Sequence, residues 1–393
     1  MGRPLSAGHV HTTQQRGTTV LQHDNAPLNV LFIGGTGTIS ASCVRLAADT
    51  GMRVSVVNRG INRVGRGLPP SVEQLTADIT DEDAIASAIA DRRFDAVVNF
   101  LSYDEDDVRR MVDLFTGRVG QYVHISSGSI YAKPVRQTPI TESTPTSPNP
   151  PLPYATAKWR AEQALFDAHR TSGFPITVIR PSHTYDDQNP PLPGGWSVVD
   201  RLARGAEVPV HGDGTSLWTL THAEDFAQGL VGLLGNSRAI GEVFNITGDE
   251  VYTWDQIYTI VARALGRQPR LIHVPSEFYP VIAPEWFWSG EMVGDLGHSA
   301  VFDMTKLRRF VPGFAPRLTF ERSVKRMVAW RSEHPDLARG DDDTDAVLDR
   351  FVAAYHAARD AAARHAPDAA AESAAMATAG AGVAAEEQAE AGR

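Results

Sequence analysis

The sequence predicts an α/β protein: a doubly wound parallel sheet carrying a smaller C-terminal lobe. Three observations predict it. Between residues 28 and 180, short apolar runs alternate with helix-forming stretches. The first apolar run, Asn29 to Ile33, passes directly into Gly34-Gly35-Thr36-Gly37-Thr38-Ile39 and then into helix formers from Ala41 to Asp49. After Pro181 the alternation gives way to Pro/Gly loops and scattered short segments.

Composition bounds the function. The chain has 393 residues, 42% hydrophobic and 21% charged, a globular composition with enough length for a sizeable core. A formal net charge of −10 argues against nucleic acid as the main partner. The single cysteine, Cys43, excludes an internal disulfide and a cysteine-rich metal site, and reads as an inert thiol in the first helix. His211, His222 and His273 are too scattered to indicate a metal, so no metal is expected. No stretch approaches a membrane-spanning length and residues 1–27 lack an apolar signal core, so a cytoplasmic protein with no membrane partner is expected.

Residues 1–27 are polar and aperiodic and read as a disordered extension. Strand, glycine turn and helix then form the opening unit of a dinucleotide-binding, Rossmann-type domain over 28–180. Glycines let the backbone approach a pyrophosphate, and the helix N-terminus offers free N–H groups to it. Ser40 stands three residues after Gly37, where a third glycine would be usual, and its small side chain still allows close helix–strand packing. Arg53 to Asn58 is the second strand. An acidic residue at its end would bind a ribose 2′-hydroxyl and indicate NAD. The residues there are Asn58 and Arg59, with Arg63 and Arg66 following, a neutral and basic set that suits a 2′-phosphate. NADP is therefore preferred and NAD is the alternative; a solvated loop is the non-functional reading.

Val72 to Thr76 reads as a third strand. Asp78 beyond it either accepts from an adenine amino group or, with Thr80, caps the helix predicted over 81–91. A fourth strand over 94–100, a helix from Val108 to Phe115 and a fifth strand over 122–127 follow, with His124 expected as a satisfied core histidine. Ile79, Phe100, Leu101 and Pro181 stand at or just past strand ends, where ligands bind in this architecture, and complete the expected cofactor set. A Pro/Thr/Ser-rich loop leads to a helix opening at Tyr154, then to a sixth strand over 174–180. Residues 181–335 are expected to form the substrate-binding lobe, with the stretch Phe278 to Gly290 apolar and irregular. Residues 336–366 form a helical extension, with Val347, Leu348, Phe351, Val352 and Tyr355 at helical spacing, and residues 367–393 an Ala/Glu/Gly-rich disordered tail.

Tyr154 and Lys158 stand four apart and so share a helix face. A lysine ammonium beside the phenol lowers its pKa from about 10, making it a proton donor and acceptor for an alcohol or carbonyl. Ser127, at the carboxyl end of the fifth strand, is placed to hold the same oxygen. With Gly34-Gly35-Thr36-Gly37-Thr38-Ile39, Asp78, Ser126-Ser127-Gly128-Ser129-Ile130-Tyr131, Tyr154-x-x-x-Lys158 and Arg180-Pro181, the chain resembles an extended short-chain dehydrogenase/reductase of the NAD-dependent epimerase/dehydratase family. The resemblance implies Tyr154 as catalytic acid/base, Lys158 as its tuner and a ribose ligand, Ser127 as the group polarising the reacting C–O bond, and hydride exchange with a nicotinamide.

Departures narrow the reaction. Sugar 4,6-dehydratases of this family carry Asp-Glu after the serine or threonine, where this chain has Gly128-Ser129. That leaves epimerisation through a ketone, or net reduction or oxidation, with Ser129 facing the substrate. Trp218 stands where the family often has an arginine for a nucleotide-sugar phosphate, and an aromatic ring there can stack on a sugar. A small, sugar-like substrate, which could be a nucleotide sugar, is expected. Two alternatives come from other classes: RNA binding, as in plant stem-loop-binding proteins of this fold, and NADP sensing without turnover. The family's usual homodimer interface maps onto helices 104–115 and 154–170, where Val108, Met111, Val112 and Phe115 serve either that interface or packing on the sheet.

Overall fold

The computed structural model describes residues 26–60 and 66–365. The extension expected over 1–27 (save its last two residues), Arg63 and the tail expected over 367–393 lie outside the described residues.

In β1 (Asn29–Ile33) the four residues after Asn29 are fully buried, as a strand covered on both faces requires. The glycine turn leads into α1 (Ser40–Asp49), and β2 (Arg53–Asn58) and β3 (Glu73–Thr76) follow. α2 (Glu82–Ile89) is capped by Asp81, whose carboxylate accepts from the Ala84 N–H at 2.9 Å. Neither Asp78 nor Thr80 is the cap: Asp78 accepts from the Thr80 N–H and hydroxyl and closes the preceding turn. β4 (Ala96–Asn99), α3 (Glu105–Phe115), β5 (Tyr122–Ile125), α4 (Pro153–Ser172) and β6 (Ile176–Pro181) complete the regular alternation. α4 opens on a proline, which has no N–H to leave unpaired, and stops at Gly173 with φ 73°, a left-handed position that suits glycine.

Beyond β6 come β7 (His183–Tyr185), α5 (Trp196–Arg204), β8 (Glu207–His211), β9 (Leu217–His222), α6 (Ala223–Leu233), β10 (Glu242–Ile246), β11 (Val251–Thr253), α7 (Trp254–Ala264) and β12 (Arg270–Val274). The stretch expected to be irregular folds into α8 (Tyr279–Ile282) and α9 (Phe287–Glu291), continued by a π-turn over Met292–Leu296. α10 (Thr305–Phe310), α11 (Phe320–Glu333) and α12 (Asp342–His365) close the described chain.

Among the described residues, seven strands form one parallel sheet in the order β10-β6-β5-β4-β1-β2-β3. The strand order reverses at β1, which opens a crevice at the carboxyl ends of β1 and β4. The lobe expected over 181–335 is thus interrupted. α6 packs beside α1 with Phe226 and Leu230 in the core that holds Val30, Phe32 and Val44, and β10 pairs in parallel with β6. Glu-Val-Phe-Asn-Ile reads as a strand, but its partner is set by tertiary packing that local pattern does not encode. The rest of the lobe gathers β7, β9, β11 and the pair β8–β12 around Trp254, Tyr258, Tyr279 and Phe320. α12 docks there through Leu348 and Phe351, the latter with its ring centroid 4.4 Å from that of Tyr279.

One expectation is corrected. His124 is fully buried, but neither ring nitrogen has a hydrogen-bond partner among the described residues; burial and the neighbouring Lys158 keep the imidazole neutral, its pKa well below the usual value. Of the two roles open to the apolar residues of α3, sheet packing is the one seen: Val108, Met111 and Phe115 are buried against this chain's own sheet, while Val112 and Leu114 keep partial exposure.

Candidate active site

The glycine turn follows from close packing. Gly34 has φ 82° and a Cβ there would lie 2.7 Å from Leu101 Cγ; a Cβ on Gly35 would lie 2.6 Å from Val56 Cγ1. Leu101 and Val56 thus form the floor over which the backbone passes, and Phe100 stacks on Phe32 with ring centroids 6.4 Å apart. Ser40 is buried and its hydroxyl accepts from the Gly37 N–H at 2.8 Å, so the residue replacing the third glycine fastens the turn to α1. No side chain among the described residues caps α1, which leaves its first N–H groups beside Thr36, Thr38 and Ile39 for a ligand's phosphates. This cradle fits a dinucleotide.

At the end of β2, Asn58 Oδ1 accepts from the Gly60 N–H and Arg59 is exposed, with no acidic residue at the strand end. Asp78 spends one carboxylate oxygen on its own turn, and Ile79 is buried beneath it. Arg66 takes no part in a basic cluster there. It reaches 120 positions along the chain to Asp186, donating from Nε and Nη2 at 2.9 Å each, with both side chains largely buried.

α4 carries the reacting groups. Tyr154, Lys158 and Glu162 recur every four residues on one face, and Glu162 is locked to Arg180 of β6 by two hydrogen bonds of 2.9 and 2.6 Å. Lys158 is buried; its ammonium donates to the carbonyls of Ser102 (2.7 Å) and Ile125 (2.8 Å) and sits 4.5 Å above the Tyr103 ring. Burial draws its pKa down to about 7. The expected lowering of the Tyr154 pKa is not what the structure shows. Burial pushes the phenol up, Glu291 and Tyr103 add to this, and Ser127, which lies against it, pulls the other way. Helical spacing brings Lys158 near, but its charge is turned to two carbonyls.

Ser127 lies two residues beyond β5, at the start of the short helical turn Gly128–Ile130, and its hydroxyl is 2.8 Å from that of Ser129. Both serines, Tyr154, Pro181 and Trp218 line one cavity of about 270 Å³. Trp218 offers it only ring surface, because its indole N–H donates to the carbonyls of Leu296 and His298. The cavity also receives residues the sequence reading missed: His183, Trp288, Glu291 and Asp295. His183 packs against Trp218, Trp254 and Trp288, and burial lowers its pKa to about 4, so it is neutral. Glu291 is only 9% exposed, and burial with the nearby Asp295 pushes it up to about 8. The signal available in the sequence was weak: Glu291 stands three residues after the aromatic run Trp286-Phe287-Trp288, which another acid, Glu285, precedes.

A parallel sheet with a glycine cradle at its switch point and a serine–tyrosine pair facing a cavity is the architecture of a Rossmann-type enzyme. Residues 30–247 match the NAD dependent epimerase/dehydratase family, and the chain belongs to it, as an enzyme of the extended short-chain dehydrogenase/reductase type. The 2′-dehydrokanamycin reductase of Streptomyces kanamyceticus is 28% identical over 295 residues, 74% of this chain and 81% of that one. The chloroplast stem-loop binding protein of 41 kDa b of Arabidopsis thaliana is 27% identical over 262 residues, 63% and 67% of the two chains. A dTDP-glucose 4,6-dehydratase of Streptomyces niveus is 25% identical over 338 residues, 77% and 92%. Among solved structures, a Streptomyces venezuelae dTDP-glucose 4,6-dehydratase with NAD bound shares the fold at a TM-score of 0.64 and 24% identity, covering 78% of this chain and 98% of that one.

Proposed function

We propose that the protein catalyses hydride exchange at a secondary alcohol or ketone of a sugar-like substrate, in a net reduction, oxidation or epimerisation. The observation that carries this reading is the meeting of Ser127 and Tyr154 on the wall of one cavity, with Ser127 against the phenol. Tyr154 moves a proton to or from the substrate oxygen, and Ser127, itself held by Ser129, donates to that oxygen. Lys158 keeps a positive charge on that face of α4 when protonated. The nicotinamide supplies or takes up the hydride when bound. The glycine turn would hold the pyrophosphate, with Asp78 at the adenine and Arg59 at the ribose.

Dehydration is disfavoured by packing. A Cβ on Gly128 would lie 2.9 Å from the Phe302 ring and 3.1 Å from the Pro181 carbonyl, so this position has no room for a carboxylate side chain. RNA binding is disfavoured by the net charge of −10 and by a cavity with no lysine or arginine among the described residues that line it. No helix among the described residues is long and apolar enough to cross a membrane, and we place the activity in the cytoplasm. A homodimer through α3 and α4 would use Val112, Leu114 and the polar outer rows of those helices, because Val108, Met111 and Phe115 face inward.

Exposed Arg59 and the lack of an acid at the end of β2 favour NADP. Titration with NADPH and NADH, followed by nicotinamide fluorescence, tests this. The expected result is tighter NADPH binding that Arg59→Asp reverses. A retained, non-exchanging NAD would overturn the NADP preference in favour of an epimerase, and no binding of either would overturn the enzyme reading.

A further inference from the structure

The cavity beside Tyr154 is built for a positive charge. Glu291 ends α9 and faces the cavity with its side chain nine-tenths buried, and its carboxylate has no hydrogen bond or ion pair among the described residues. The nearest cation, Lys133, is already paired with Asp295 at 2.7 Å, and both of those side chains are less than a tenth exposed. Two carboxylates therefore stand against one ammonium in a region closed by Trp288, Trp218 and Phe302. A buried carboxylate without a partner is costly, and the site answers by taking up a proton: Glu291 is pushed up to about 8. Because no lysine or arginine lines the cavity among the described residues, a diphosphate would meet only neutral and acidic groups there.

Taking the proposed hydride-exchange site as given, we infer that the substrate is an amine-bearing sugar or aminocyclitol whose ammonium group pairs with the Glu291 carboxylate. The ammonium supplies the missing positive partner and displaces the proton from Glu291, and the Trp288 face covers the apolar side of the ring. The reacting hydroxyl then lies toward Ser127 and Tyr154, because Glu291 is close enough to Tyr154 to act on its phenol electrostatically. Recognition is by charge, so a neutral N-acyl counterpart binds more weakly: it leaves Glu291 protonated and forgoes the ion pair.

The test is calorimetric titration of the NADPH-loaded protein with neamine, with its fully N-acetylated derivative and with dTDP-glucose. Neamine is expected to bind, the N-acetylated form to bind at least about tenfold more weakly, and Glu291→Gln to weaken neamine by about ten- to a hundredfold while leaving NADPH affinity unchanged. Equal binding of the two neamine forms, neamine binding unmoved by Glu291→Gln, or dTDP-glucose as the tightest ligand would each overturn the inference and leave the hydride-exchange reading standing. Failure of NADPH to load would instead overturn that reading, which separates the two.

Discussion

Breaking the ion pair between Glu162 and Arg180 should loosen the helix that carries Tyr154 and Lys158. The pair is bidentate, at 2.9 and 2.6 Å, with side chains 0% and 6% exposed, and the guanidinium also lies over the Tyr131 ring at 4.9 Å. Removing Arg180 as Arg180→Met strands a carboxylate with no access to water, at a cost of about 3–5 kcal/mol. At roughly 1–2 °C per kcal/mol for a chain of this size, the melting midpoint should fall by about 3–10 °C. Differential scanning calorimetry measures this directly. Activity should fall with it, because Glu162 is two turns along α4 from Tyr154 and anchors the same face to β6. The double variant Glu162→Leu/Arg180→Met, which removes both charges, should recover most of the lost stability. A single variant that loses less than about 1 kcal/mol, or a double variant no better than the sum of the singles, would refute the reasoning.

Two further outcomes follow from local geometry. Gly35→Ala places a methyl 2.6 Å from Val56 Cγ1, so it should cost about 1–3 kcal/mol in urea unfolding and weaken dinucleotide binding more than unfolding alone accounts for; unchanged stability would refute the close approach. Glu291 has a raised folded-state pKa, so its contribution to stability is fully present below pH 4.5 and is lost as pH rises through about 8. Melting curves of wild type and Glu291→Gln should therefore diverge in favour of the variant by roughly 3 kcal/mol between pH 5.5 and 8.5, and the opposite trend would refute the buried, unpaired carboxylate.

What was legible in the sequence was local. The glycine turn announces itself because two backbone positions tolerate no side chain, and Tyr154 and Lys158 because helical spacing fixes which residues share a face. What was not legible depends on distant partners. Arg66 reads in sequence as part of a phosphate-binding cluster, yet its guanidinium lies on Asp186. The phenol's environment could not be read from the lysine four residues away, because the groups that raise it come from α9 and from Tyr103. Glu291 and His183 sit in segments without periodicity, and their meeting in one cavity is a product of the completed fold.

The return of β10 to the edge of the main sheet bears on how such pockets diversify. Because Phe244 pairs with Ile179 and Asn245 with Arg180, the sheet's outermost strand is encoded downstream of much of the material that shapes the cavity. A chimera with one crossover after Pro181 would take β6 from one parent and its neighbour from the other, mismatching the seam beneath the cavity. Recombination that changes specificity must instead exchange inserts on either side of α6 and β10 while keeping those two elements with their own sheet. The cavity is then free to vary in loops and short helices such as α9, and the scaffold is inherited whole.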